Sequence, residues 1–156
     1  MIDIDIVCPI YKESASLENL VKSFATQKGV NIKKIIFPVT LSHTEEDDVI
    51  RDIINRYNII SFELEKEQFS HSLTREKAIK DYCTCRCVVM ISQDIKLTNE
   101  DVFYNLVKSI DEKETVYNFA KQICTNKSIE KYIRAKNYPA ESYYVTNDDV
   151  EKMKFM

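Results

Sequence analysis

At 156 residues, with 44% hydrophobic and 30% charged side chains, the chain has the length and composition of one globular domain with a sizeable core. Lys and Arg total 22 against 25 Asp and Glu, a net charge of −3, which excludes the broad attraction to polyanions that nucleic-acid binding uses. No apolar run approaches the roughly 18 residues of a membrane-spanning helix and no signal-peptide pattern opens the chain, so the expected location is the cytoplasm.

Ile2 to Val7 alternates apolar and acidic residues and is expected to be the first strand, stopped by Pro9. After the loop Pro9-Ile10-Tyr11-Lys12-Glu13, with Ser14 or Ser16 as cap, Leu17, Leu20, Val21, Phe24 and Ala25 mark one buried helical stripe, and Gly29 is expected at that helix's C-terminus. Ile35-Ile36-Phe37 reads as a second strand with Pro38 near its end. Thr44 is expected to cap a helix that turns Val49, Ile50, Ile53, Ile54 and Tyr57 inward and carries Glu45 to Asp48 in its first turn. Ile59 to Leu64 makes a third strand. Ser72 is expected to cap a helix with Ala78, Ile79 and Tyr82 inside, followed by a strand from Cys87 to Ile91. Thr98-x-x-Asp101 then starts the helix of Val102, Phe103, Leu106, Val107 and Ile110.

This strand–helix alternation predicts an α/β fold, a three-layer α/β/α sandwich on a mostly parallel, Rossmann-like sheet with right-handed crossovers. Beyond residue 112 the pattern weakens. Thr115 to Ala120 is expected as a strand, Ile129, Tyr132 and Ile133 as one face of a short helix, Asn137 to Ser142 as turns, and Asn147 to Met153 as a last helix. This tail is too small to fold alone and is expected to pack on the main sheet.

The chain contains one glycine, where average usage gives about 7%. A Walker loop or a G-x-G-x-x-G turn needs several, so any nucleotide phosphate has to be neutralised by a metal ion or by basic side chains. Five cysteines are an odd number without secreted-framework spacing. Cys83, Cys85 and Cys87 alternate, which zinc sites do not do, and they read as reduced structural residues at the start of a strand.

Two blocks carry potential chemistry. Val88-Val89-Met90-Ile91-Ser92-Gln93-Asp94 is an apolar strand, expected to be covered on both faces, that ends in a carboxylate. In open α/β sheets ligands gather beyond the carboxyl ends of such strands, and an acid there suits a divalent cation shared with substrate phosphates. Upstream lies Phe69-Ser70-His71-Ser72-Leu73-Thr74-Arg75-Glu76. A guanidinium with fixed charge, such as that of Arg75, is a good phosphate partner, although a solvated helix arginine is the plainer alternative. Asp94 likewise admits the plainer role of a solvated loop acid.

Together these blocks resemble family 2 glycosyltransferases of the GT-A fold, and within them the rhamnosyltransferase-like branch, where a Phe-x-His-x-x-Thr-Arg segment precedes a strand ending in Gln-Asp. The resemblance implies an inverting transfer of a sugar, plausibly rhamnose from a dTDP donor, in polysaccharide or glycoconjugate synthesis. Residues 1–112 would be the nucleotide-sugar-binding core and 113–156 the start of an acceptor-side region. It implies donor binding by Pro9, Tyr11, Glu13, Arg75, Gln93 and Asp94, with Mg²⁺ or Mn²⁺ on Asp94.

Asp94 would be the final acid of the family's Asp-x-Asp motif, whose first position is Ser92 here. Thr74-Arg75-Glu76 matches a Thr-Arg-Asn signature with Glu for Asn. Pro9-Ile10-Tyr11-Lys12 matches Pro-Thr-Tyr-Asn, and Tyr11 either contacts the base or packs the loop. His71 has the titration range of a general base. The resemblance, however, implies a carboxylate base in a motif beyond Met156, leaving His71 a structural or substrate-contacting residue. This chain would therefore be a donor-binding part that binds without much transfer.

After the second strand the family has an acid that reads the base. Val39-Thr40-Leu41-Ser42-His43-Thr44 has none, so base recognition is altered or lost. The implied partners are a nucleotide-diphosphate sugar and a saccharide or lipid-linked acceptor, with peripheral membrane association of a longer enzyme. Two rivals remain: a sugar nucleotidyltransferase, disfavoured by the missing glycine-rich loop, and a non-catalytic interaction module that has lost donor binding.

Overall fold

β1 (Ile2–Val7) runs through the middle of a parallel four-stranded sheet in the order β3-β2-β1-β4, where β2 is Val30–Thr40, β3 is Ile60–Leu64 and β4 is Cys87–Met90. Helix α1 (Ser14–Phe24) links β1 to β2, α2 (Glu45–Arg56) links β2 to β3, α3 (Leu73–Tyr82) links β3 to β4, and α4 (Val102–Asp111) follows β4. The computed structural model describes residues 1–12, 14–112, 115–120, 123, 129, 131–133 and 145–146. Two compact units divide the chain, Met1–Asn118 and Phe119–Met156.

The layers follow from strand order and handedness. The crossovers β1-α1-β2 and β2-α2-β3 step in one direction, so right-handed connections put α1 and α2 on one face. The step from β3 back past β1 to β4 reverses direction and puts α3 on the other. The packing agrees. Ile4, Ile6, Leu17, Phe24, Ile50, Ile53 and Phe103 belong to one buried cluster, while Val7, Ile36 and Ala78 form a second with Ile60, Phe62, Ile79 and Tyr82 against it. The expected three-layer α/β arrangement with a parallel sheet is therefore present, α4 joining the α1/α2 face through the Phe24–Phe103 ring contact at 5.9 Å.

Several local expectations are corrected. Helix α1 stops at Phe24, so Ala25 is exposed rather than part of the stripe. Gly29 is not at a helix end. It sits at φ +78° immediately before β2, and a Cβ there would meet the Tyr104 ring at 2.9 Å. Gly29→Ala is expected to lower stability by about 1–2 kcal/mol through the left-handed backbone alone. The Tyr104 clash adds to that, and the added part should disappear in Gly29→Ala/Tyr104→Ala when both are followed by urea unfolding.

Pro38 lies inside β2, which is longer than the apolar core of three residues suggested. The carbonyls of Ile36 and Pro38 accept from Cys8 and Ile10, and Thr40 donates to the Ile10 carbonyl, so the ladder toward the segment after β1 runs on either side of Pro38 and lacks the one donor that the proline nitrogen cannot supply. Val49, expected inside, is half-exposed on α2. In β4, Cys87 and Val89 are buried but Met90 is 55% exposed, so this strand is covered on one face and not fully on the other. Thr115 to Ala120 is not a strand. Asn118 instead donates to the Leu106 carbonyl at 2.7 Å and the Ser109 hydroxyl at 2.8 Å. Residues 129 and 131–133 are helical, and the expected turns from Asn137 to Ser142 and helix from Asn147 to Met153 lie outside the described residues.

Candidate functional site

The chain reverses its stepping direction between β1 and β4. In open α/β sheets ligands gather in the crevice at the carboxyl ends of the strands flanking such a switch point, although here α1 and α4, the helices that follow β1 and β4, lie on the same face of the sheet. The loops at those ends are Cys8–Lys12 after β1 and Ile91–Asp94 after β4.

The first loop is held on one flank by backbone. Ile10 donates to the Pro38 carbonyl at 2.8 Å, and Thr40 donates to the Ile10 carbonyl at 2.8 Å. On the other flank a single side chain spans to it. The Tyr11 amide donates to Gln93 Oε1 at 2.7 Å, and Gln93 Nε2 donates to the Tyr11 carbonyl at 2.8 Å. Lys12 follows at φ +55° with its ammonium 5.3 Å from the Tyr11 ring centroid. Glu13 lies outside the described residues, and the Ser14 amide at the start of α1 donates to Glu46 of α2.

The second loop leaves the sheet after Ile91, whose amide still donates to the Val7 carbonyl at 3.0 Å. Asp94 is exposed in the following turn and makes no hydrogen bond or ion pair among the described residues. Arg75 approaches from the start of α3. Its Nη1 donates to the His71 carbonyl at 2.8 Å and lies 3.4 Å from His71 Nδ1, while the His71 ring meets Phe69 edge-on at 5.0 Å between centroids. Ser72, the expected cap of α3, makes no capping bond. Buried Thr74 fixes this turn instead, its amide donating to the Ser70 carbonyl and its hydroxyl accepting from the Ser70 amide at 3.1 Å.

Cys8, the fully buried residue that follows β1, feels the charges of both Arg75 and Asp94. Burial pushes the Cys8 thiol up to about 12, with Arg75 pulling it down and Asp94 pushing it further up. Such a thiol stays protonated at neutral pH, and its chemistry is that of a packed apolar residue. The structure thus brings Pro9, Tyr11, Arg75, Gln93 and Asp94 to one edge. His71 stands beside Arg75.

The loop after β2 is shaped by a residue that was read only as a helix-dipole acid. Thr44 occupies the N-cap of α2 without a side-chain cap bond. Asp47 reaches back instead, accepting from the His43 amide at 2.8 Å, the Ser42 hydroxyl at 2.7 Å and the Ser42 amide. The spacing Thr44-x-x-Asp47 carried the signal, since an acid at the third helical position folds back on the loop before it. Burial pushes the Asp47 carboxyl up, but the Ser42 and His43 bonds and the Arg51 charge outweigh it and hold it below its ordinary value. A lowered folded-state value means stability that is present above the unfolded-state value of about 3.9 and lost as pH falls below it. Asp47→Asn is therefore expected to cost about 1 kcal/mol at pH 7, as cap losses do, and to flatten the fall of thermal stability between about pH 4 and pH 2.

Beside this edge, an open depression of about 430 Å³ runs between α3 and β4, lined by Ser72, Arg75, Glu76, Ile79, Lys80 and Met90. Among the described residues no three His, Cys, Asp or Glu side chains stand close enough together to hold a metal ion. A lone exposed carboxylate nevertheless fits a hard cation that completes its shell with ligand oxygens and water, the usual habit of Mg²⁺ at phosphates. Cys8, Cys83, Cys85 and Cys87 are free thiols. No helix among the described residues is long and apolar enough to cross a membrane. No family model matches the chain, and no curated protein matches it.

Proposed function

We propose that this chain is the donor-binding part of an inverting, family 2 glycosyltransferase of the GT-A type, taking a nucleotide-diphosphate sugar such as dTDP-rhamnose. The observation that carries the reading is the two-point bond between Gln93 and the Tyr11 backbone at the switch point between β1 and β4, with Asp94 exposed in the same turn. An α/β sheet receives a nucleotide at that place, and these are the positions of the sequence blocks that resemble the family.

In this reading the Pro9–Tyr11 loop meets the base and Asp94 and Arg75 address the diphosphate. A divalent cation (Mg²⁺ or Mn²⁺) on Asp94 would supply positive charge where negative charge builds on the departing diphosphate. Arg75 contributes fixed charge from the first turn of α3, already oriented by the His71 carbonyl. The acceptor, a saccharide or lipid-linked saccharide, requires a general base that none of these residues supplies. Base recognition is altered or lost relative to the family pattern, because the loop after β2 carries no acid of its own and Asp47, which bonds it, is occupied by Ser42 and His43.

Calorimetric titration with dTDP, UDP and GDP, with and without Mn²⁺, tests the reading. Metal-dependent binding of one nucleotide is the expected result. Failure of all three to bind would favour a non-catalytic module on the same fold.

A further inference from the structure

We infer that Gln93 is a positioning residue rather than a donor ligand: its side-chain amide latches the Tyr11 backbone and so gives the base-side wall of the crevice its shape. This rests on the nucleotide-binding reading above. The latch has two points, N–H to Oε1 at 2.7 Å and Nε2 to C=O at 2.8 Å, joining residues 82 apart in sequence. It copies the pairing of a neighbouring strand at the place where no strand continues. Only an amide supplies both halves, since a carboxylate at this length would accept from the Tyr11 amide and repel the Tyr11 carbonyl.

What the latch holds is a segment that does not hold itself. Lys12 is a non-glycine residue at φ +55°, a conformation that persists when its surroundings over-determine it. Ile10 anchors the segment to β2 on one side. Among the described residues, Gln93 is the group whose hydrogen bonds tie the Tyr11 backbone on the other. Asp94 does not depend on it in the same way, because the chain leading to Asp94 is tied to β1 through the Ile91 amide. Loss of the latch therefore loosens the base side and leaves the phosphate side in place.

The test compares wild type, Gln93→Ala and Gln93→Glu by titration with dTDP, UDP and GDP and with inorganic pyrophosphate, all with Mn²⁺, alongside hydrogen exchange of the Tyr11 amide by NMR. Both variants are expected to bind the preferred nucleotide about tenfold more weakly and to bind pyrophosphate within about twofold of wild type; Gln93→Ala is expected to exchange the Tyr11 amide at least about tenfold faster, the scale of one lost hydrogen bond, and Gln93→Glu, which keeps an acceptor for that amide, less than Gln93→Ala. Equal losses for nucleotide and pyrophosphate, or nucleotide loss with unchanged Tyr11 exchange in Gln93→Ala, would overturn the inference and make Gln93 a ligand or a general structural residue. Unchanged nucleotide affinity in both variants would overturn it as well. If wild type binds neither pyrophosphate nor any nucleotide, the donor-binding reading itself falls. If it binds pyrophosphate as tightly as nucleotide, the phosphate side stands and the base-side role of Gln93 is refuted.

Discussion

Asp94→Ala is expected to weaken metal-dependent nucleotide binding by on the order of 100-fold, equivalent to about 2.7 kcal/mol, while leaving the melting temperature unchanged. The size of the effect comes from Asp94 being the single exposed carboxylate in the turn after β4 and from the absence, among the described residues, of any acidic cluster able to replace it. Stability is insulated because the side chain makes no hydrogen bond or ion pair there whose loss would be felt. Asp94→Asn separates two contributions: it keeps the shape and an oxygen donor but removes the charge, so retained affinity in that variant would argue against a cation on this residue. Calorimetry on the three proteins with and without Mn²⁺ reads the result directly.

The second large effect concerns stability and lies inside β1. Asp5 is fully buried in β1 and faces the loop between α3 and β4, where its Oδ2 accepts the amides of Thr84 at 2.6 Å and Cys85 at 2.8 Å. Its Oδ1 is buried without a hydrogen-bond partner. Burial, with the adjoining Asp5 carboxylate second, pushes the Cys85 thiol up to about 11. Asp5→Ala strands two amides beside a void and is expected to cost about 3 kcal/mol. Asp5→Asn is expected to recover part of that, because one side-chain oxygen suffices for both amides, while its amide nitrogen takes the buried place of Oδ1 without an acceptor among the described residues. Denaturant unfolding of the two variants checks this, and an Asn variant as weak as the Ala variant would show that the charge, rather than the acceptor, is what the site needs.

These two acids show where sequence reading succeeds and where it stops. The buried stripes of α1 and α2 were legible because Leu17, Leu20, Val21 and Phe24, and Ile50, Ile53 and Ile54, repeat at the helical period, although Val49 on the same pattern is half-exposed. The parallel sheet followed from strand–helix alternation. Asp5 gave no such signal, since an acid alternating with isoleucines in an edge-like pattern reads as solvent-facing, and its partners lie 79 and 80 residues away. Thr44 and Ser72 do stand at the N-caps of α2 and α3, but neither makes a side-chain cap bond, and at α4 the bond comes from a distance. The side chain of Gln27, remote in sequence, serves α4, accepting from the Phe103 amide at 3.1 Å and donating to the Asn99 carbonyl, while the local acid Asp101 makes no cap bond. Gly29 was misplaced because its positive φ serves entry into β2 beside Tyr104 and not a helix end.

The candidate site was legible residue by residue but not in its connections. Arg75 and Asp94 stood out as residue types at meaningful places in the alternation, and Gln93 only through the family resemblance. That Gln93 spends its amide on the Tyr11 backbone, that Thr74 rather than Ser72 fixes the turn carrying Arg75, and that Asp47 closes the loop after β2 are long-range or loop-specific pairings with no periodicity to reveal them.

The central claim is a metal-assisted nucleotide site at the switch point between β1 and β4, and paramagnetic broadening by Mn²⁺ tests it most directly. With the best-binding nucleoside diphosphate present, Mn²⁺ is expected to broaden the amide signals of Tyr11 and Lys12, His71 to Arg75 and Ser92 to Ile95, and to do so only when the nucleotide is added. Broadening centred elsewhere on the chain, or identical broadening without nucleotide, would contradict the claim.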